Sequence, residues 1–299
     1  MAAPRSNRPR SRRFDDDGWQ PDDAIDARPD RRDPPDDPPD DPLDEPNWST
    51  YPSATKGPQP VPEWVVRDPK AVDDDLGVMK TGKEADVSLL RRVAVDTGQT
   101  CLLAVKQYRS AEHRMFHRDA GYLEGRRLKK SRETRAVATR TAFGKEIIAG
   151  QWALAEFAVL GRLWSAGAAV PYPVQLDGTE MMMEFIGSDD GVAAPRLAQV
   201  HASPPEATEL YRQLVEGLRV LAEAGYAHGD LSAYNVLVHD GRLVLIDLPQ
   251  AVDVVANPRG FEYLRRDCDN ICTWFESRGV VVADADDLYD DLARRIAAR

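Results

Sequence analysis

The stretch "HGDLSAYNVLVHDGRLVLID", residues 228–247, decides how the rest of the chain is read. Two short apolar runs, "VLV" and "LVLI", flank Asp240-Gly241, the dipeptide that favours a type I′ hairpin turn. Counting back from that turn, Asn235 falls opposite Ile246, beside Asp247, at the open end of the hairpin. Two oxygen donors are thereby brought together where hard Mg²⁺ ions could sit between protein and a triphosphate. Asp230 lies just before, on the entering loop, placed to orient an attacking hydroxyl. Each residue alone has a plainer reading, since Asp and Asn often cap turns; spacing and hairpin together carry the inference. His228 is expected to pack and hydrogen-bond without taking part in the chemistry.

The first half of the chain supplies a matching cation. Lys106 ends the apolar strand "LLAVK", and Glu156 lies on the apolar face of the helix read from "QWALAEFAVLGRLWSAG". That face follows Trp152, Glu156, Leu160 and Leu163 at helical spacing. A carboxylate on such a face needs a partner to offset its desolvation, and Lys106 is the natural one. The pair would aim the ammonium at phosphates. "MMMEFIG" then connects two lobes, with backbone groups of Glu184 to Ile186 facing an adenine edge and Met181–Met183 forming core and pocket wall.

"GVMKTGK", residues 77–83, fits the start of a Walker A loop, but Glu84 stands where the magnesium-binding hydroxyl belongs. The residues that follow alternate as a strand instead of opening a helix, so this is not a P-loop. A glycine between two strands can still let backbone N–H groups approach a phosphate, and a plain strand–turn–strand is equally consistent.

Around these motifs the chain divides unevenly. Residues 1–60 carry 14 Asp/Glu against 9 Lys/Arg, a net of −5 within the chain's −11, and are rich in Pro. Too few apolar residues are present to offset the entropy of ordering, so a disordered acidic, proline-rich leader is expected there, solvated or docking a partner. An upper lobe is expected over 64–184, with a flexible basic loop at 110–147, and a lower lobe over 187–299. Hairpins are expected at "DTGQ" and at Asp177-Gly178. Helices are expected from the Ser203…Glu206 capping box to Gly225, with a stripe of Leu210, Leu214, Leu218 and Leu221, and along Phe261, Leu264, Cys268, Ile271 and Phe275. Three cysteines are too few for a disulfide framework, and Cys268 and Cys272 read as helix packing. Residues 125–145 hold eight Lys/Arg against one Glu: a flexible solvated loop, or a contact to nucleic acid. No apolar run is long enough to span a membrane, and no secretory h-region is present, so a cytoplasmic setting is expected.

Asp230 and Asn235 are spaced as in the catalytic loop of protein kinases, and Lys106 stands as the lysine of "VAIK" does. The chain resembles the RIO family of atypical serine/threonine protein kinases from about Trp64 onward, and its RIO1-like branch in particular. The resemblance rests on "TGKEADV", "AVKQY", "AEFAVLGRL", "HGDLSAYNVLV", "LIDLPQAV" and "FEYLRRDCDNI". It implies an α+β, bilobal protein-kinase-like fold with a strand-rich N-lobe, a helical C-lobe and a reduced activation segment. It implies ATP and Mg²⁺, with Lys83 in the shortened glycine loop, Lys106 on phosphates and Glu156 on Lys106. Asp230 would be the catalytic base, and Asn235 and Asp247 the metal ligands. It also links the metal aspartate to a phospho-aspartyl intermediate and ATPase cycling, which would fall on Asp247. Two departures stand out: Leu248-Pro249 where Val-Ser is usual, and Asp86 where Asn is usual. Two other functions compete with a protein kinase that autophosphorylates or acts as an ATPase switch. One is a small-molecule phosphotransferase of the aminoglycoside- or choline-kinase type; the other is a nucleotide-binding assembly factor with little turnover. The protein substrate is not legible, and Ser131 is a candidate autophosphorylation site.

Overall fold

The computed structural model describes residues 46–82, 85–109, 142–248 and 251–299, with side chains from 147 onward in the helix that begins at 142. The upper lobe is one antiparallel six-stranded sheet. Its strands are β1 (Thr55–Lys56), β2 (Ala71–Thr81), β3 (Ala85–Ala94), β4 (Thr100–Tyr108), β5 (Pro173–Asp177) and β6 (Glu180–Glu184), in the spatial order β1-β5-β6-β4-β3-β2. The expected turns close where glycine can adopt positive φ, at Gly98 (70°) between β3 and β4 and Gly178 (57°) between β5 and β6. Successive residues of β6 point to opposite faces, so Met181 packs under the sheet with Ala153 and Phe157 while Met182 joins the cluster of Leu103, Val105 and Tyr172.

Between β4 and β5 runs α1 (Ala142–Ser165). Its middle turns present Ala149, Ala153 and Phe157 to the sheet, while Val159, Leu160 and Leu163 enter the core of the lower lobe. One rigid helix therefore belongs to both cores. The lower lobe contains α2 (Pro204–Glu223), the strand pair β7 (Tyr226–Ala227) and β10 (Val252–Asp253), the hairpin β8 (Val236–His239) and β9 (Arg242–Leu245), then α3 (Gly260–Glu276) and α4 (Ala285–Ala297). The capping box at α2 is present, with Ser203 N–H donating to Glu206 at 2.8 Å, and the leucine stripe Leu210, Leu214, Leu218, Leu221 is buried. Cys268 and Cys272 are free and buried in α3, as helix packing requires. Only a short segment separates Asp247 from α3, in keeping with a reduced activation segment.

Three expectations need correction. The fold begins before Trp64: Trp48 bridges to Val72, Tyr51 and Ala54 are buried, and β1 pairs with β5. The apolar residues here stand singly among polar residues and Pro, so composition hides them, yet the sheet buries Tyr51 and Ala54. The basic loop 110–147 ends early, because 142–147 already belong to α1. Residues 110–141, with Ser131 and most of the basic stretch 125–145, lie outside the described residues. Phe261, in the first turn of α3, faces solvent instead of continuing the buried stripe.

Arg92 of β3 is fully buried and grips Asp73 of β2 with two bonds, 2.7 and 2.8 Å, while its Nη1 has no partner. Removing the carboxylate strands a charge in the upper core. Asp73→Ala should therefore lower stability by ~3–5 kcal/mol in urea denaturation, and Asp73→Leu combined with Arg92→Met should recover most of the loss. Near-equal stability of the single and double variants would show that the pair does not hold the sheet.

Candidate active site

The loop between β7 and β8 bends through Gly229, whose φ of 84° a side-chain-bearing residue would adopt only under strain. Its position is fixed from below by α3. Asp267, almost fully buried, accepts Gly229 N–H at 2.8 Å and Leu231 N–H at 3.0 Å. Arg266 donates to Gly229 C=O, and Asn270 to Leu231 C=O at 3.2 Å. His228 is buried with Nε2 against Ile246 C=O at 3.1 Å, the packing and hydrogen-bonding role expected of it. Asp230 is left exposed at the crest of a loop whose flanks are tied down.

The hairpin closes through Asp240 (φ 49°) and Gly241 (φ 71°), the two positive values that a type I′ turn needs. Ile246 N–H donates to Asn235 C=O at 3.0 Å, so the register count that set Asn235 beside Asp247 is correct. Asn235 donates through Nδ2 to Asp230 C=O at 2.9 Å, which turns its Oδ1 to the role of acceptor. Asp247 takes the left-handed conformation (φ 62°), uncommon for a residue with a side chain. Leu248 beside it is buried in the lower core and anchors the turn; Pro249 lies outside the described residues.

Lys106 joins the two lobes. Its Nζ lies 2.9 Å from both carboxylate oxygens of Glu156 and 3.4 Å from Asp247 Oδ1. Lys106 and Glu156 are both buried, whereas the Asp247 side chain is 43% exposed. Burial works against the Lys106 charge, but Glu156 and Asp247 outweigh it and hold the ammonium above its ordinary pKa. Burial likewise opposes ionisation of Asp247, yet Lys106 first and Lys80 second keep its carboxyl below the usual range. The opening therefore contains an ionised carboxylate beside an ammonium that helix α1 holds in place.

The other expected residues are placed less directly. Glu184 ends β6 with its own N–H on Tyr172 C=O at 2.9 Å and its carboxylate on Tyr172 N–H at 3.0 Å, so its side chain ties the connector to the lobe above. Ile186 C=O accepts Ala194 N–H at 2.9 Å. Lys83 lies outside the described residues. The glycine turn is a strand–turn–strand between β2 and β3, as the rejection of a P-loop required. Asp86, the extra charge near that turn, is held by Arg109 in a bidentate pair at 2.6 and 2.8 Å and is thereby neutralised. Among the described residues no cluster of three His, Cys, Asp or Glu could enclose a metal. Two oxygen donors, Asn235 and Asp247, suit Mg²⁺, which completes its shell with water and phosphate oxygens. Sequence reasoning missed Asp267 as the anchor of the loop, although "LRRDCDN" was singled out. A buried Asp on an otherwise apolar helix stripe was the available signal.

Residues 93–288 match the family model described as the RIO domain. The chain is 38% identical over 221 residues to the RIO-type serine/threonine-protein kinase Rio1 of Haloferax volcanii, covering 73% of this chain and 69% of that one. It is 33% identical to the human serine/threonine-protein kinase RIO1 over 72% of this chain, but spans only 35% of that protein. Among solved structures, the Rio2 kinase–ADP/Mg²⁺–phosphoaspartate complex from Chaetomium thermophilum superposes with a TM-score of 0.52 at 21% identity, covering 74% of this chain and 64% of that one. This last likeness bears on the fold.

Two measurements check the site. Asp267→Ala leaves two buried N–H groups without an acceptor, each costing about 1–3 kcal/mol, and should loosen residues 228–231 in amide exchange while leaving the upper lobe protected. Lys106→Met removes the main cause of the low Asp247 pKa, so the Asp247 carboxyl should titrate at higher pH in a ¹³C NMR titration. An unchanged midpoint would contradict the coupling.

Proposed function

The chain belongs to the RIO family of serine/threonine-protein kinases, and from that premise we propose how its cleft transfers a phosphoryl group from ATP to a hydroxyl. The observation that carries the reading is Lys106 shared between Glu156 and Asp247, beside the Asp230–Asn235 loop. Lys106 binds phosphate oxygens, and Glu156 positions Lys106. Asp230 orients the acceptor hydroxyl and takes its proton. Asn235 and Asp247 would hold Mg²⁺, which when bound supplies positive charge to the phosphate oxygens. The adenine edge is assigned to the backbone of Glu184 and Ile186, and Lys83 to the phosphates beside the glycine turn. The contribution of the protein is placement and fixed charge, with no covalent intermediate on the protein needed as the phosphoryl group leaves ADP for the acceptor oxygen.

A second reading makes Asp247 the acceptor and the protein an ATPase switch. It is supported by the half-exposed Asp247 carboxylate and by the phosphoaspartate in the Rio2 complex. A small-molecule phosphotransferase is the weaker alternative, since the relatives are named as protein kinases. The basic stretch 125–145 is the proposed contact for RNA or a ribosomal particle, which would make the chain an assembly factor. Among the described residues no helix is long and apolar enough to cross a membrane.

Transfer from γ-labelled ATP with Mg²⁺ separates these readings. Acid-stable label that falls by ~10²–10⁴ in Asp230→Ala is expected for hydroxyl transfer. Hydroxylamine-labile label lost in Asp247→Asn would identify the switch. If wild type bound nucleotide but neither became labelled nor hydrolysed ATP, both enzyme readings would fail for the isolated protein.

A further inference from the structure

Lys80, near the end of β2, plays no part in the assignments above. The register pairs Lys80 with Val87, and Val87 with Lys106. Residues directly opposite in an antiparallel ladder project from the same face, and neighbouring strands lie ~4.8 Å apart. Lys80 therefore leaves the sheet on the face that carries Lys106, two strands or roughly 10 Å away. That face looks into the cleft, because Lys106 meets Glu156 and Asp247 there. Immediately after Lys80 the chain turns through Gly82, whose N–H donates to Ala85 C=O at 3.0 Å, so the lysine stands at the base of the glycine turn.

The opposite wall holds Arg196, from the lower lobe. Its Nη1 donates to Tyr234 C=O at 2.6 Å, next to Asn235, and its backbone bridges Leu237 of β8. Lys80 is exposed at the surface of the sheet, where partial burial, Arg196 and Lys106 press its pKa down and Asp247 pulls it up. With Glu156 paired to Lys106, Lys80 and Arg196 add two cations to a cleft whose exposed carboxylates are Asp247 and Asp230. A multiply charged anion between the two cations would replace repulsion with charge-assisted hydrogen bonds.

We propose that Lys80 is a further substrate-binding residue, contacting the polyphosphate of ATP from the upper lobe opposite Arg196. The inference rests on the assignment of this cleft to ATP. A polyphosphate suits the spacing because Lys106 and the Asn235–Asp247 pair already place phosphate and Mg²⁺ along the same line of the cleft. An acidic acceptor would instead lie on the Asp230 side.

Calorimetric titration of the full chain with Mg²⁺ tests this, using a non-hydrolysable ATP analogue, ADP, AMP and adenosine against wild type, Lys80→Met and Lys80→Arg. Lys80→Met should bind the ATP analogue about tenfold more weakly, and Lys80→Arg should restore it. AMP and adenosine should bind both variants as they bind wild type. Unchanged affinity of Lys80→Met for the ATP analogue would overturn the proposal, as would an equal loss for adenosine, which would indicate a distorted pocket. Normal nucleotide affinity with weakened transfer to an acidic peptide would overturn it in favour of an acceptor contact. Wild type that binds none of the four ligands would remove the ATP assignment itself, and the proposal with it.

Discussion

The arrangement depends on one ammonium group held by three separate elements. Lys106 comes from the sheet, Glu156 from α1 and Asp247 from the turn after β9. None of the three could be placed by local structure alone. A buried Lys or Glu without its partner would face a desolvation cost of several kcal/mol, so each makes the other tolerable only when α1 lies against the sheet in this one setting. Asp247 adds the constraint from below, since its left-handed backbone is set by the hairpin and by buried Leu248.

A second buried carboxylate does for the loop what Glu156 does for the lysine. Asp267 supplies acceptors to two main-chain N–H groups that the bend at Gly229 leaves without strand partners. The groups proposed to meet substrate and metal are accessible while their supports are buried. That division separates precision of placement from access to substrate: Asp230, Asn235 and Asp247 can be reached from the cleft, yet the backbones that carry them are fixed by α3 and the hairpin register.

Much of this was legible in the sequence because it is local. Asp240-Gly241 fixes a turn type, the turn fixes a register, and the register brings Asn235 to Asp247 without knowledge of the rest. The capping box at Ser203 and the leucine stripe of α2 are equally local. What escaped depends on distant surroundings. Tyr51 and Ala54 are single apolar residues in a polar stretch, and only the sheet gives them a place to pack. Phe261 fits the helical period yet lies on the side of the first turn of α3 that faces solvent, while Gly260 beside it is buried. Asp267 has the spacing of a core residue and the chemistry of a surface one, and its role appears only when the loop of residues 228–231 is folded over it. Lys80 reads as an ordinary strand lysine until two registers are chained across β3.

The edges of the upper sheet bear on how the protein behaves at high concentration. An open six-stranded sheet exposes two rows of unpaired backbone groups, each a template for a neighbouring molecule. Along β5 the two-residue β1 covers part of that row, brought there by a segment whose composition alone suggested no structure. At the far side β2 carries Asp73, Asp74 and Asp75 in succession, and its pairing shifts register twice, between Asp75 and Gly77 and between Val78 and Lys80. Residues 47–49 cover the start of that edge, with Ser49 N–H on Ala71 C=O and Asp73 N–H on Asn47 C=O, both at 2.8 Å, and the irregular pairing discourages a second β2 from aligning along the rest. Trimming the chain to residue 64 would therefore bare both edges at once, the row of β5 under β1 and the start of β2 under residues 47–49.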